Sequence, residues 1–584
     1  MEKDEIRKIL GDKDNKILRL EKELERMKKS LRNENYGLAW IDVPEAFEDD
    51  VENKLPIITA VPTCDIKNDD NKATHLLIEG ENYHALTCLN YTHKGKIDVI
   101  YIDPPYNTGS DGFRYKDKRI LDKYPDGTEV PTDHPLRHSY WLSFMRKRLE
   151  LAKDLLSQKG VIFISIDDNE FAQLKMLCDQ IFDERNFVTS FIWNQKLTGG
   201  HDSKNVNTVH EYVFCYAKDK TKEGAFNKII SDNEYPEFDE ARQLSFKWDS
   251  LWTVSHGYTK NCDYPIVAPD GTEVYPWMCH KDGKKVKGVA RWFWSKETYN
   301  KDKDLLLVRK DKKGNWKVYK KVYGGTPIPY KSIFDRDVVG GTSTGKKTLE
   351  NIFGSIKVFD NPKSVELIKH ILAIAGSKNS FVLDFFAGSG TTGQAVLEMN
   401  EADQGTRQFI LCTNDQELDG NGEKVKHKIC SDVCHPRLSK VISGYKNSKK
   451  EKVQGLGGSL KYYRVGFVGE HSILNTNDKD KLALAHNACE LLAIAENTLD
   501  GVIKNSHFEI FENKDRHTAI YFKEGLDKFD DFTKKVLSLK KPTTVYVFSW
   551  GDDPFVDEFE DNPSITVKTI PEPILEIYRR IHNL

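Results

Sequence analysis

Ile97-Asp98-Val99-Ile100-Tyr101-Ile102-Asp103-Pro104-Pro105-Tyr106-Asn107-Thr108-Gly109 decides how this chain is read. The first six residues are mostly apolar and rich in β-branched side chains, the pattern of a buried strand. The run stops at Pro104-Pro105, because proline cannot continue a central strand. A carboxylate, two rigid rings and an aromatic side chain are therefore presented where a strand ends. In open α/β sheets that is where ligands bind. Asp103 and a proline carbonyl can accept hydrogen bonds from an amino group on a flat ring, while Tyr106 stacks on its face. Accepting those protons leaves the nitrogen lone pair free to attack an electrophile, and the fixed φ of proline preorganises the acceptors.

A second stretch, Phe381-Val382-Leu383-Asp384-Phe385-Phe386-Ala387-Gly388-Ser389-Gly390-Thr391-Thr392-Gly393, reads as strand, tight glycine turn and helix over 392–399. Gly388 and Gly390 let backbone approach a ligand closely, and the helix N-terminus beyond favours a carboxylate. No lysine follows the glycines, which excludes a nucleotide phosphate loop. Polar acceptors about 20 residues further on are placed for ribose hydroxyls. Asn414, Asp415 and Glu417 are the candidates, with an exposed turn as the alternative.

Together these stretches resemble the β class of DNA amino-methyltransferases, in which the Asp-Pro-Pro-Tyr motif precedes the cofactor loop. The resemblance implies a doubly wound α/β core that binds S-adenosyl-L-methionine and methylates adenine N6 in double-stranded DNA. Such a base is hidden in a duplex and must be flipped out. The implied catalytic residues are Asp103, Pro104, Pro105 and Tyr106. The implied cofactor residues are Asp384, Phe386, Ala387, Gly388, Ser389, Gly390, Thr391 and Glu417, with Asn361 and Lys363 from a flanking segment. Asn361 also reads as a plain helix cap and Lys363 as a first-turn surface residue. Cytosine N4 is the alternative target, and a catalytically silent DNA-recognition subunit the alternative role.

The entry around Tyr36-Gly37-Leu38-Ala39-Trp40 and the segment Gly455–Tyr463 resemble the modification (Mod) subunit of Type III restriction-modification systems. That implies a homodimer, joined by a separate restriction subunit carrying the helicase and nuclease. The alternative is an orphan methyltransferase. Five regions are expected: an N-terminal helix at 1–35, a catalytic half at 36–220, a target-recognition domain at 221–345, a cofactor half at 346–465, and a small C-terminal α/β domain at 466–584 with a subunit-docking role.

The 221–345 insert loses periodicity and holds six of the ten tryptophans. Lys281, Lys284, Lys285, Lys287 and Arg291 run into Trp292-Phe293-Trp294. Basic groups supply salt-dependent phosphate binding, and aromatic groups can wedge or read bases. A small aromatic-cored β domain with a solvated basic loop is the plainer reading. Lys116, Lys118, Arg119 and Lys123, in the polar segment after Gly109, divide in the same way between phosphate contacts and a solvated loop.

Lys plus Arg (87) nearly balance Asp plus Glu (90), so any phosphate-binding surface is local. No apolar run reaches membrane-spanning length. The ten scattered cysteines suggest reduced thiols of a cytoplasmic protein. Cys430 and Cys434 between His427 and His435 invite a metal reading, but no second pair supports it, so no metal is expected. Smaller expectations are a helix over 139–158, a strand over 160–166, acids at 167–170 capping the following helix, a linker at 342–354, and a helix over 483–499. Ile17, Leu20, Leu24, Met27 and Leu31 form a short apolar stripe that faces a partner or packs on its own chain. No helicase loop or nuclease set is found.

Overall fold

The computed structural model describes residues 40, 55–108, 138–196, 205–222, 224, 226–230, 235–280, 283–324, 327–354, 358–415, 417–418, 427–471, 475–550 and 555–581. The N-terminal stripe and the basic loop at 116–123 lie outside them. The chain divides into two compact units, Met1–Asn227 with Lys331–Leu584, and Lys228–Tyr330.

The first unit is built on a ten-stranded sheet. In chain order its strands are β1 (Leu55–Ala60), β2 (Thr74–Glu79), β3 (Ile97–Ile102), β4 (Leu156–Ile166), β5 (Phe187–Asn194), β6 (His210–Ala217), β7 (Ile333–Phe334), β8 (Phe381–Asp384), β9 (Gln408–Thr413) and β10 (Ser459–Val468). Across the sheet they run β1-β10-β2-β9-β8-β3-β4-β6-β5-β7. Strands β10 to β4 of that order are mutually parallel. β6 lies antiparallel to β4 and β5. The central strands have no amphipathic alternation because helices cover both faces; Val99 to Ile102 are all at or below 2% exposure.

The crossover helices are α1 (Asn82–Thr92), α2 (Ser139–Leu155), α3 (Phe171–Phe182), α4 (Thr342–Phe353), α5 (Val365–Ala375), α6 (Thr391–Asp403) and α7 (His435–Ser443). β8 lies beside β3, with Val382 opposite Val99 and Leu383 opposite Ile100. From this pair the chain proceeds outward in opposite directions, β8 to β9 and β3 to β4. The join is thus the topological switch point of the sheet, where a crevice opens beyond the strand ends.

Three expectations change. The 342–354 linker is helix α4. Its one glycine has a packing role: a Cβ at Gly345 would run into the carbonyls of Pro362 and Lys363, so glycine is there to let that backbone approach. The helix expected to reach 158 ends at Leu155, and β4 begins at Leu156. The helix expected at 483–499 is two, α8 (Asp478–Asn487) and α9 (Cys489–Ala495).

The C-terminal segment forms a second sheet of β11 (Asp500–Lys504), β12 (Phe508–Glu512), β13 (His517–Tyr521), β14 (Thr543–Phe548) and β15 (Ile565–Ile570). It shares a continuous core with the large sheet: Leu484, Leu491, Ile574 and Tyr578 belong to the same buried cluster as Leu55, Ile57 and Leu89. Tyr578, in the last helix α10 (Glu572–Ile581), donates to the Pro56 carbonyl at 2.9 Å.

The second unit carries a four-stranded antiparallel sheet over a small core of Leu251, Tyr264, Ile266, Val274, Trp292 and Val318. Trp292 is fully buried and donates to the Tyr264 carbonyl at 2.8 Å.

Candidate active site

The ends of β3 and β8 open into a cavity of about 810 Å³. Both sequence motifs line it, although Asp103 and Asp384 lie far apart in the chain. From the first motif come Asp103, Pro104, Pro105 and Tyr106. From the second come Asp384, Phe386, Ala387, Gly388, Ser389 and Thr391, and Asn361 and Lys363 join from the segment before α5. Gly390 is absent from the lining; it is the left-handed N-cap of α6, and a Cβ there would press on Cys434 Sγ at 3.0 Å. Glu417 starts a two-residue strand opposite Lys428. Asp415 is taken up by Ser431, whose amide and hydroxyl both donate to it at 3.0 Å. At the end of β9 it is Thr413 and Asn414 that face the cavity.

On the β3 side, four polar side chains from three segments meet. Lys363 Nζ lies 3.0 Å from Asp103 Oδ1, 3.1 Å from Glu211 Oε2 and 2.8 Å from Tyr106 Oη. Tyr106 donates to Asp103 at 2.8 Å and stands 3.2 Å from Glu211. The ammonium also lies 4.9 Å from the Tyr106 ring centroid and 5.4 Å from that of Trp193. Burial alone would lower the lysine; the carboxylates of Asp103 and Glu211 outweigh it and hold the ammonium above its ordinary value. Burial raises Asp103 above the usual carboxylate range, with Lys363 opposing. Burial beside these acids keeps the Tyr106 phenol protonated. Lys363, expected among the cofactor residues, thus has its ammonium on the Asp103 carboxylate.

The motif is braced from behind. Trp141 in α2 is fully buried and donates its indole N–H to the Pro105 carbonyl at 2.7 Å. Arg148, two turns further along the same helix, is also fully buried. It donates to Asn82 and Glu81 at 2.5 Å each, and its guanidinium covers the Phe144 ring. Asn82 in turn donates to the Phe385 carbonyl at 2.9 Å, linking α2 to the end of β8. Glu170 does not cap α3 with its side chain. Its carboxylate is drawn instead to Asn107 at 2.5 Å and His138 at 2.7 Å, anchoring the chain just after Tyr106. The acid-cap expectation fails there, because the turn beyond β4 faces the loop leaving β3.

On the β8 side, Asp384 Oδ2 accepts from the Thr392 hydroxyl at 2.5 Å and Oδ1 from the Phe386 amide at 3.0 Å. Burial nevertheless pushes its carboxyl up to about 7. Gly388 has φ +49°, and a Cβ there would reach Phe359 Cζ at 3.2 Å. Behind the turn, fully buried Arg437 donates to Gln394, to the Ser389 hydroxyl and to the Thr391 hydroxyl, each at 2.9 Å. Burial lowers its guanidinium to about 10.

Sequence reading missed Trp141, Arg148 and Arg437 as site-supporting groups. The signal was available in part: Arg148 falls seven residues after Trp141, on the buried stripe of α2, and Arg437 lies one turn before Val441 on the buried stripe of α7.

In the second unit Lys284, Lys285 and Lys287 are exposed, with Lys287 Nζ 5.5 Å from the Trp277 ring centroid. Arg291 is half-buried and donates to the Thr259 hydroxyl at 3.0 Å. Lys281 lies outside the described residues. Among the described residues no group of three metal-binding side chains occurs, and no helix is long and apolar enough to cross a membrane. His435 Nε2 is 2.8 Å from the Cys64 carbonyl, and Cys430 Sγ receives the Tyr462 hydroxyl at 3.4 Å.

A family model described as DNA methylase matches residues 97–418, from β3 through β9. The chain belongs to this family. Its relatives include the Mod subunit of the Type III restriction-modification enzyme StyLTI from Salmonella typhimurium, 36% identical over 417 residues, covering 68% of this chain and 61% of that protein. The EcoPI Mod subunit of Escherichia phage P1 is 32% identical over 455 residues, 70% of this chain and 69% of that protein. The Type II methyltransferase M.KpnI of Klebsiella pneumoniae is 33% identical over 393 residues, 64% of this chain and 89% of that protein. The match to the StyLTI subunit therefore spans about three-fifths of its length. In this DNA methylase, the pairing of β3 with β8 places the Asp-Pro-Pro-Tyr motif and the glycine turn in one cavity.

Proposed function

We propose that this DNA methylase methylates adenine N6 at a specific site in double-stranded DNA, using S-adenosyl-L-methionine. The observation that carries the reading is the side-by-side ending of β3 and β8, which joins an amine-accepting motif and a glycine turn in one cavity. The residues present suit the cofactor. The left-handed Gly388 keeps the turn open, the N-terminus of α6 favours a carboxylate, aromatic rings of Phe359 and Phe386 supply flat apolar walls, and Thr413 and Asn414 offer acceptors. When bound, the cofactor supplies a methyl group on a sulfonium, already activated for transfer.

The chain's own groups act on the amine. Trp141 occupies the Pro105 carbonyl, so the Pro104 carbonyl and Asp103 are left to accept the two amino protons. That acceptance concentrates the lone pair on nitrogen and offsets the positive charge that grows there. Tyr106 gives the base a ring to stack on. A base in this cavity is out of the duplex stack, so flipping is part of the reading. The exposed lysines of the second unit supply phosphate contacts.

Similarity to the Mod subunits supports the modification and recognition role in a Type III restriction-modification system, as a cytoplasmic homodimer joined by a restriction subunit. Similarity to M.KpnI over most of that protein supports a second reading, a methyltransferase that works alone. Modified-base sequencing of DNA from cells expressing the chain decides the target: N6-methyladenine at one sequence motif, lost with Asp103→Ala while cofactor binding persists. N4-methylcytosine would redirect the assignment, and unmarked DNA would overturn it.

A further inference from the structure

We propose that Lys363 holds the amine seat of the base pocket at rest, and that Glu211 is the seat it retreats to when the target base enters. The inference rests on the methyltransferase reading above. An ammonium has three donors and no acceptor. Lys363 Nζ has three acceptors within 3.1 Å: Asp103 Oδ1, Tyr106 Oη and Glu211 Oε2. Its hydrogen-bonding capacity is therefore spent on the base side of the cavity, with nothing left for a cofactor. Tyr106 directs its own proton to Asp103, the nearer of its two carboxylate neighbours, which leaves the phenol oxygen to accept from the lysine.

The ammonium mimics the group that displaces it. It is a nitrogen donor on the carboxylate that is to receive the target amine, and it also donates to the Tyr106 hydroxyl at 2.8 Å. A target amine hydrogen-bonded to Asp103 Oδ1 cannot share that seat with Nζ. Lys363 must move, yet its side chain is only 10% exposed. Stripping both partners from a buried ammonium is costly. Glu211 removes that cost, because its carboxylate already touches the lysine and comes from β6 rather than from the motif. A short slide off Asp103 keeps the lysine paired and bares the catalytic carboxylate. The charges agree: two carboxylates against one ammonium leave a net negative cluster, matched to the positive charge that develops on the amine.

Lys363 and Glu211 are thus positioning residues, acting through Asp103. The test uses the full chain and duplex DNA containing the site mapped by sequencing, with 2-aminopurine beside the target adenine. Cofactor affinity is measured by calorimetry with S-adenosyl-L-methionine, and flipping by 2-aminopurine emission. Lys363→Met should leave cofactor affinity within about twofold and strengthen flipped-state binding by about tenfold, roughly one charge-assisted hydrogen bond. Glu211→Gln should weaken flipped-state binding about tenfold, again with cofactor affinity unchanged. Lys363→Arg, which keeps the charge, should behave like wild type in stability and covers the case in which the methionine variant fails to fold; it should not gain flipped-state affinity. Loss of cofactor affinity in Lys363→Met with flipping unchanged would make the lysine a cofactor ligand and overturn the inference. Identical flipping in Glu211→Gln and wild type would remove the second seat. Wild-type chain that binds no S-adenosyl-L-methionine would overturn the methyltransferase reading instead, and the calorimetry separates the two failures.

Discussion

Replacing Trp141 by phenylalanine removes one hydrogen bond behind the Asp-Pro-Pro-Tyr motif. The indole is fully buried and its N–H meets the Pro105 carbonyl at 2.7 Å. Phenylalanine keeps an aromatic ring in the α2 stripe but supplies no donor. A buried carbonyl left without a donor costs about 1–3 kcal/mol. Loss of the outer indole ring adds a small cavity, about 1 kcal/mol for each methylene-sized void. The variant should therefore lose about 2–4 kcal/mol in denaturant unfolding, with an unchanged slope. The motif that relaxes also carries Asp103, so turnover should fall between about 5-fold and about 150-fold, the kinetic equivalent of 1–3 kcal/mol. Affinity for S-adenosyl-L-methionine should hold, since Trp141 braces the β3 side. Paired denaturation, single-turnover methylation and calorimetry separate these quantities. Normal stability and turnover together would refute the claim that this bond preorganises the proline carbonyls. Loss of cofactor affinity alone would place Trp141 on the wrong side of the cavity.

Gly388→Val forces a β-branched residue into φ +49° and its Cβ toward Phe359 Cζ at 3.2 Å. Left-handed backbone strain of about 1–2 kcal/mol should weaken cofactor binding about tenfold or more by calorimetry, while the fold survives. Exchanging Lys284, Lys285 and Lys287 for alanine should weaken DNA binding and flatten its salt dependence by up to about three charges, read from affinity against salt concentration; an unaltered slope would make the run a solvated loop. Asp384, with its carboxyl raised from 3.8 to about 7 by burial, binds more protons folded than unfolded between those values. Its contribution to stability is therefore full below about pH 4 and lost as pH rises through 7, to the extent of about 4 kcal/mol at most. Stability of Asp384→Asn minus that of wild type should climb from pH 4 to 7; a flat difference would mean the Thr392 and Phe386 hydrogen bonds already hold Asp384 ionised.

What could be read from sequence was local in origin. An apolar run that breaks at two prolines, and another that breaks at glycines, mark strand ends whatever lies between them. Parallel strands with crossover helices then bring such ends to one edge of a sheet. That logic located Asp103, Tyr106, Asp384 and Gly388 in one cavity without any knowledge of the 277 residues separating Tyr106 from Asp384 in numbering. It failed where a residue's role depends on partners from distant strands. Lys363 sits within the cofactor half in sequence, but its three acceptors come from β6 and from the end of β3. No periodicity encodes that ion cluster. Helix α4 was missed for a related reason. Its single glycine, Gly345, answers the close approach of the Pro362 backbone, a tertiary demand that outweighs helix propensity. The C-terminal segment shows the same limit at larger scale. Its own strands and helices are legible, whereas its packing on α1 and β1 follows from which apolar faces meet. Leu484, Leu491 and Tyr578 complete the core beneath β1, so a docking role for this segment would have to use its outer surface. Removing residues from 466 onward would bare that core, and the loss of apolar burial would fall on the catalytic unit itself.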